Sequence, residues 1–181
     1  MKKKNLLNSS ILFLAITASF VLMVTSSCHV YSFKDIGTIP DSVKTVRVNF
    51  IENRAPYVNP QLSPTLTERL KQKIVNQTRL TQTSSDNAHY DIHAYISDYS
   101  VSTTGITSTN GRSQSSLNRL TVSVHITLNK TLTNDPPVDF DVSRNFDFPA
   151  SQSIEQAQAA LLDEIVKNLS DEIFNRIFSN W

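Results

Sequence analysis

His89 and His93 are separated by four positions, a spacing that places two metal ligands on one face of an α-helix. The residues around them alternate between apolar and polar types, however, and this alternation predicts a β-strand. At about 3.3 Å per residue, a strand separates these two positions by roughly 13 Å, too far for both rings to bind one zinc ion. The sequence therefore predicts exposed strand histidines and no metal site.

Catalytic nucleophiles and nucleotide-binding loops also have characteristic sequence patterns. The chain contains no Gly-x-Ser-x-Gly motif, phosphate-binding loop or dinucleotide-binding motif, and it has only three glycines. Serine, aspartate and histidine are abundant, so a catalytic triad assembled by the fold stays open as an alternative. No two carboxylates are spaced to share an apolar setting that would raise a pKa, and we expect a protein that is not an enzyme.

The only cysteine, Cys28, follows a short apolar segment and three small residues. Lysines at positions 2 to 4 precede the uncharged run Ile11 to Val24, which is shorter than the roughly 18 apolar residues of a membrane-spanning helix. This order predicts a lipoprotein signal peptide over residues 1–27. Residues 25–28 resemble the lipobox of bacterial lipoproteins, which implies cleavage before Cys28, a diacylglycerol on its sulfur and an acyl chain on its new amine. A plain signal peptide and an uncleaved anchor remain alternatives.

Cleavage before Cys28 leaves 154 residues, enough for one domain over residues 43–181 after a lipidated N-terminal segment, residues 28–42. Without the three signal-peptide lysines, 14 Lys and Arg face 16 Asp and Glu, a net charge of −2. A nucleic-acid-binding domain usually carries a basic surplus, so we expect no nucleic-acid partner.

Strict alternation of apolar and polar residues predicts four strands. In the first strand, Val46, Val48 and Phe50 are expected to share the dry face. In the fourth, Arg144 interrupts the apolar positions. The four predicted strands are residues 43–51, 90–97, 120–128 and 140–148.

Two apolar stripes have helical spacing. In the first, Leu62, Leu66, Leu70 and Ile74 recur every four residues, with Ser63 as the expected N-cap and Pro64 in the first turn. The second runs from Ile154 to Phe178, and Ser153 and Gln156 have the spacing of a capping box. Its solvated face is expected to carry the ion pairs Asp163–Lys167 and Glu172–Arg176.

The segment Ser102 to Ser116 is rich in Ser and Thr and holds two of the three glycines. This composition predicts a mobile polar loop. Asn110-Gly111 within it favours an antiparallel hairpin that joins the second and third predicted strands.

The predicted order β-α-β-β-β-α gives an α+β fold, in which every strand has one apolar face. We expect a two-layer α/β sandwich with a four-stranded mixed sheet and both helices on one face. The first helix favours parallel pairing of the first two strands through a crossover. The opposite sheet face is polar and is the candidate partner face, formed by Arg47, Asn49, His93, Tyr95, His125 and Thr127.

Three arginines are candidates for contact with lipid phosphate. A guanidinium group can donate paired hydrogen bonds to phosphate oxygens. Arg112 follows the predicted turn, Arg119 begins the third strand, and Arg54 lies after the first. Arg112 is the first candidate, since a hairpin tip can reach a lipid head group. A solubilising surface role is the alternative for all three.

Taken together, the chain resembles the LptE family, in its Bacteroidetes branch. The resemblance is carried by CHVYSF at residues 28–33, VKTVRVNFIENRAP at 43–56 and LSPTLTERLKQKI at 62–74. It implies a lipid-anchored outer-membrane protein on the periplasmic face that plugs the β-barrel LptD, helps it to assemble and assists lipopolysaccharide transport to the cell surface. The implied partners are an LptD-like barrel and lipopolysaccharide, with no cofactor apart from the acyl chains on Cys28.

A second class of function fits the same layout. The chain could be a periplasmic-facing accessory lipoprotein of another envelope system, such as a lipid-transporter subunit or a secretin pilot protein. In that case the polar sheet face would bind a different partner.

Overall fold

The computed structural model describes residues 39–109, 112–133 and 135–179, with side chains for all of these except residues 105–109 and 112–116. The expected signal peptide and Cys28 lie outside the described residues. In chain order the elements are β1 Thr45–Val48, β2 Glu52–Asn53, α1 Leu62–Gln77, β3 Thr81–Gln82, β4 Tyr90–Thr109, β5 Arg112–Lys130, β6 Val138–Pro149 and α2 Ile154–Phe178.

The sheet is mixed and has six strands in the described residues, in the order β3-β1-β4-β5-β6, with β2 pairing to β4. β1 runs parallel to β4, as the crossover through α1 predicts, while β4, β5 and β6 are antiparallel. The predicted sheet of four strands was too small. The additional strands β2 and β3 have two residues each, too few for an alternating pattern to reveal them.

The first predicted strand, residues 43–51, is shorter in the structure, and the additional strand β2 follows it after a break. β1 ends at Val48 and β2 begins at Glu52, and both segments lie along the same edge of β4. The break changes the phase of the alternation, so that Ile51 is fully buried and Phe50 is 59% exposed. The prediction that Phe50 faces the core with Val46 and Val48 is therefore wrong.

The predicted antiparallel hairpin is confirmed, but its strands are much longer than expected. Backbone pairing between β4 and β5 continues to Thr109 and Arg112. The prediction of a loop over residues 102–116 is wrong, because the described residues of this segment belong to β4 and β5. Its β-branched threonines favour a strand. Register shifts near Thr103 and Gly105 allow the two strands to stay paired where the pattern is irregular. β6 ends at Pro149, opposite Leu117. Beyond this point the described hairpin consists of β4 and β5 alone.

Both helices pack on one face of the sheet, and one core lies between the layers. The predicted stripe of α1, Leu62, Leu66, Leu70 and Ile74, is fully buried. Inward side chains of β4, β5 and β6 and the apolar stripe of α2 complete the same cluster. Burying each of these side chains contributes roughly 1.5 to 3 kcal/mol. Arg144, which interrupts the apolar positions of the fourth predicted strand, lies on the helix side of β6 opposite Val122, but its side chain is exposed and pairs with Glu172 of α2.

The two helix starts differ from each other in how well the sequence predicts them. α2 begins with the predicted capping box, in which the Gln156 N–H donates to Ser153 Oγ at 3.3 Å and the Ser153 N–H donates to Gln156 Oε1 at 3.2 Å. α1 begins one residue earlier than its predicted cap, so Ser63 lies inside the helix and is not the N-cap. The N–H groups of Gln61 and Leu62 donate instead to the side chain and carbonyl of Asn59.

The two ion pairs expected along α2 are not formed among the residues that the structure describes. Lys167 pairs with Asp171 at 3.4 Å, and Glu172 pairs with Arg144. Asp171 also accepts from Lys73 of α1 at 2.8 Å, which ties the two helices together. The predicted pairs are therefore replaced by one different local pair, Lys167–Asp171, and by two pairs to other elements.

Neither described helix is both long enough and sufficiently apolar to span a membrane.

Candidate partner-binding face

The sheet side opposite the helices, here called the outer face, is uncovered by any other described element. The strand registers place its residues in rows across the sheet. One row joins His93, Thr127 and Asp139, and the next joins Tyr95, His125 and Asp141. Arg47 and Asn49 lie beside these rows on β1 and immediately after it. The structure thus brings together all six residues of the candidate partner face.

Asp91 is the centre of a hydrogen-bond network at one end of the outer face. Its carboxylate accepts two hydrogen bonds from Arg47, at 2.9 and 2.7 Å, and one from Asn49 at 2.7 Å. His93 Nε2 lies 2.9 Å from its second oxygen. Arg47 also binds Asp86, and hydrogen bonds to both carboxylates raise the pKa of the guanidinium. The network fixes the side chains of β1 and β4 against each other.

The pKa of Asp91 reflects two opposed effects. Burial alone would raise the pKa, because Asp91 is only 6% exposed. The hydrogen bonds from Arg47, Asn49 and His93 outweigh burial and lower the pKa to about 2. Asp91 is not among the predicted site residues, although its position between Tyr90 and Ile92 in the alternating pattern already marks it as an outer-face residue.

A stack of planar groups crosses the middle of the outer face. The Arg54 guanidinium carbon lies 4.3 Å from the centre of the Tyr95 ring, and the centres of Tyr95 and His125 are 5.0 Å apart. At the ends of the stack, Glu52 accepts from Arg54 at 3.0 and 2.9 Å, and His125 Nδ1 lies 2.9 Å from Asp141. The stack makes this part of the surface rigid while keeping it polar.

Hydroxyl, amide and ion pairs bridge β5 and β6 over the rest of the outer face. Thr121 bonds Asn145 at 2.9 Å, and the Ser123 and Ser143 hydroxyl oxygens are 2.9 Å apart. Closest to the hairpin, Arg119 donates to both oxygens of Asp147, at 2.7 and 2.8 Å. This hydrogen bond raises the pKa of Arg119 and lowers that of Asp147.

The three arginines proposed to contact phosphate have different surroundings. Arg119 and Arg54 each donate two hydrogen bonds to a carboxylate, so each would have to release it before binding a phosphate. Arg112 opens β5 opposite Thr109, and its side chain lies outside the described part of the chain. Cys28, the expected site of lipid attachment, is likewise not among the described residues.

Two open clefts flank Phe50 at the edge of the outer face. One, of about 430 Å³, is lined by Asn49, Glu52, Arg54, His93 and Tyr95 among others. The other, of about 540 Å³, is lined by Arg47, Lys71 and the segment Gln82 to Ser84. Both clefts are predominantly polar, and Phe50 is the large apolar side chain common to both.

The described residues show little that resembles a reactive centre. They contain no cluster of three or more His, Cys, Asp or Glu side chains that could hold a metal ion. In the same ranges, no Ser or Thr hydroxyl makes a hydrogen bond to a histidine ring, which is the contact that a catalytic triad requires. The geometry of the outer face is that of a rigid polar surface suited to binding.

Comparison with solved structures finds distant similarities. A minor lipoprotein from Acinetobacter baumannii is 15% identical, with 75% of this chain and 93% of that chain covered and a TM-score of 0.42. The rare lipoprotein B of Shewanella oneidensis is 12% identical, with 74% and 93% covered and a TM-score of 0.45. The PelC dodecamer of Paraburkholderia phytofirmans is 12% identical, with 80% and 94% covered and a TM-score of 0.47. Similarity this low carries no argument about function.

No curated protein matches the chain. A protein-family model described as LptE, lipopolysaccharide-assembly, matches residues 43–177, which is nearly the whole described domain. That family is not one of enzymes and is not known to need a cofactor. The chain therefore belongs to the LptE family of outer-membrane-associated lipoproteins, which act in lipopolysaccharide assembly.

Proposed function

We propose that this protein is an outer-membrane lipoprotein that docks in the lumen of an LptD-like β-barrel, helps that barrel to assemble and assists lipopolysaccharide transport to the cell surface. Membership of the LptE family supports the role in lipopolysaccharide assembly. The observation that carries the docking proposal is the outer face, a polar sheet surface that no described element covers.

The polarity of the outer face matches that of a barrel lumen. A barrel lumen is polar, so a protein inside it must offer hydrogen-bonding groups rather than a continuous apolar surface. The outer face presents Thr, Ser, Asn, His and paired charged side chains, and cross-strand bonds such as Thr121–Asn145 and Arg119–Asp147 hold many of them in place. Side chains that are already ordered lose less conformational entropy on binding.

The direction of the strands supports a position between the anchor and the barrel. The described chain enters next to β1, where Asp41 pairs with Arg79 at 2.6 Å, close to the start of β4. The last described pair of the hairpin, Thr109 and Arg112, lies at the opposite end of β4, which has 20 residues and spans roughly 60 Å if extended. A lipid on Cys28 would hold the entry end at the periplasmic leaflet, and the hairpin would extend away from it.

For lipopolysaccharide contact, Arg112 remains the first candidate of the proposal because it directly follows the hairpin turn. Arg119 and Arg54 are secondary, since both are bound to carboxylates. Replacing Arg112 with Ala should weaken binding to purified lipopolysaccharide and leave the melting temperature unchanged. Unchanged binding would return Arg112 to a solubilising role.

The docking proposal can be tested by recovery of the partner from detergent-solubilised outer membrane. The variant Ser143→Arg places a bulky charge on the outer face between β5 and the edge strand β6, where Ser143 meets Ser123. The matched control, Ala159→Arg, places the same side chain on the exposed surface of α2. Wild type and Ala159→Arg should recover a roughly equimolar, heat-modifiable barrel protein, whereas Ser143→Arg should recover little.

Two results would contradict the proposal. Equal recovery with both arginine variants would show that the outer face is not the docking surface. Recovery of a secretin or an inner-membrane transport complex by wild-type protein would instead favour a pilot protein or transporter subunit. Melting temperatures of the three purified proteins should agree, which excludes misfolding as the cause of a lost partner.

A further inference from the structure

Phe50 is an exposed aromatic side chain on an otherwise polar surface. It is 59% exposed, the largest exposed fraction among the large apolar side chains of the described residues. Continued alternation from Val46 and Val48 would have placed it in the core. The break between β1 and β2 buries Ile51 in its place and directs Phe50 outward.

Specific hydrogen bonds hold the break on both sides of Phe50. Before it, the Asn49 N–H donates to the carbonyl of Ile92 at 3.0 Å, and the Asn49 side chain donates to Asp91 at 2.7 Å. After it, the Ile51 N–H donates to Thr67 Oγ1 at 3.0 Å. The Thr67 hydroxyl in turn donates to the carbonyl of Ser63 at 2.7 Å, which connects the break to α1.

These contacts make the outward position of Phe50 a fixed feature of the fold. Leaving a large aromatic side chain in water forgoes the stabilisation that burial would provide. A rigid aromatic side chain surrounded by polar groups is also typical of the centre of a protein–protein interface, where a polar rim excludes water from one or two anchoring residues.

The two clefts on either side of Phe50 provide such a rim. Their linings present an amide from Asn49, an imidazole from His93, a phenol from Tyr95 and the charged groups of Arg47, Arg54 and Glu52. A lipid acyl chain lying over Phe50 would remove these groups from water without replacing their hydrogen bonds, which is costly. A protein surface can bury the ring and also satisfy the polar groups.

We propose that Phe50 is the anchoring residue of the outer face and inserts into an apolar pocket on the protein partner, with the polar groups of the two clefts forming the rim. This inference rests on the proposed function, because the partner it assigns is the barrel that the outer face docks against. It goes further by naming one side chain that contributes a large share of the affinity.

The test compares Phe50→Ala with Val75→Ala, a control on the helix layer whose side chain is 46% exposed. The probe is the barrel protein recovered with wild type, purified in detergent, and the measurement is its dissociation constant for each variant. Phe50→Ala should weaken binding roughly 30-fold or more, the effect expected for truncating an anchoring residue. Val75→Ala should bind as wild type, and all melting temperatures should agree.

The outcomes separate this inference from the function on which it rests. If Phe50→Ala binds the barrel as tightly as wild type, the anchor assignment is wrong while the docking proposal stands. A loss shared by Val75→Ala, or accompanied by a lower melting temperature, also overturns the anchor assignment. If Phe50→Ala instead dissociates a homodimer of the wild type in size-exclusion chromatography, the ring binds a second copy and the assignment is equally wrong. If wild type recovers no barrel, the proposed function fails and the inference fails with it.

Discussion

At the residue scale, Asp91 shows how a buried carboxylate can remain charged on a sheet surface. Its side chain is nearly inaccessible, and an isolated charge in that position would be strongly destabilising. The paired hydrogen bonds from Arg47, with those from Asn49 and His93, compensate for the lost solvation. Removing the carboxylate would leave the Arg47 guanidinium without its main partner.

The low pKa of Asp91 predicts a pH dependence of stability. Its folded-state pKa of about 2 lies below the ordinary value of 3.8, so the ionised form stabilises the fold above about pH 4. This contribution, about 2 kcal/mol from the shift, should be lost progressively as the pH falls from 4 toward 2. Urea denaturation across this range should show a steeper decline in the free energy of unfolding for wild type than for Asp91→Asn.

The matched control is Asp86→Asn, because Asp86 also binds Arg47 but has a side chain that is 94% exposed. An exposed ion pair contributes about 0 to 1 kcal/mol, so this variant should retain most of the wild-type pH dependence. If Asp91→Asn declines between pH 4 and 2 as steeply as wild type, the network does not stabilise the ionised form of Asp91.

At the element scale, the structure follows local sequence patterns where an element is regular and departs from them at its ends. The alternation of β5 and the stripe of α1 are confirmed residue by residue, and most of the stripe of α2 is buried, while Ile154, Leu161 and Ile177 are only partly buried. The break after Val48 and the long extension of the hairpin were not predicted, because they depend on pairing with a neighbouring strand. The polar composition of residues 102–116 indicates exposure to solvent. A two-stranded hairpin that extends beyond β6 is exposed in the same way as a loop, so composition does not distinguish the two.

The start of α1 gives a prediction that separates a cap from a buried helix position. Ser63 is 6% exposed, and its hydroxyl has no hydrogen-bond partner among the described atoms. Ser63→Ala removes this unsatisfied group and introduces a better helix former, so it should leave stability unchanged or raise it by about 0.5 to 1 kcal/mol. The measurement is chemical denaturation with the midpoint and slope compared to wild type.

Ser153→Ala is the control for a true cap, because Ser153 makes both hydrogen bonds of the capping box. Its loss should cost about 1 kcal/mol. A similar loss from Ser63→Ala would show that Ser63 caps α1 in solution.

At the scale of the whole molecule, the two faces of the sheet have separate roles. Both helices and nearly all buried large apolar side chains of the described residues lie on one side, so the apolar core lies between the sheet and the helices and does not include the outer face. This division leaves the outer face free to bind a partner without cost to the packing of the domain.

The proposed lipid attachment at Cys28 gives a prediction at this scale. In Cys28→Ser the thiol that would carry the diacylglycerol is absent, so the variant should not incorporate radiolabelled palmitate and should remain uncleaved or appear in the soluble fraction. Membrane fractionation together with labelling measures both effects. Two or three acyl chains hold a protein on a membrane far more firmly than one, so wild type should stay in the membrane fraction after a high-salt wash.

Ser26→Ala is a suitable control, because it changes a small residue near the cleavage point and keeps the thiol. It should be labelled and fractionate as wild type. Normal palmitate labelling of Cys28→Ser would refute lipid attachment at this cysteine.

The amino-acid sequence by itself determined the fold class, the crossover, the apolar face of each regular element and the polar character of the outer face. The spacing of apolar residues predicts which side of a helix or strand faces the core, and it can be found within that one segment of the sequence. Only the tertiary structure decided the phase change that exposes Phe50, the partners of Asp91 and the length of the hairpin. Each of these depends on atoms brought together across sequence separations of tens of residues, as when Arg47 meets Asp91 and Ile51 meets Thr67. Local patterns carry no signal for such contacts.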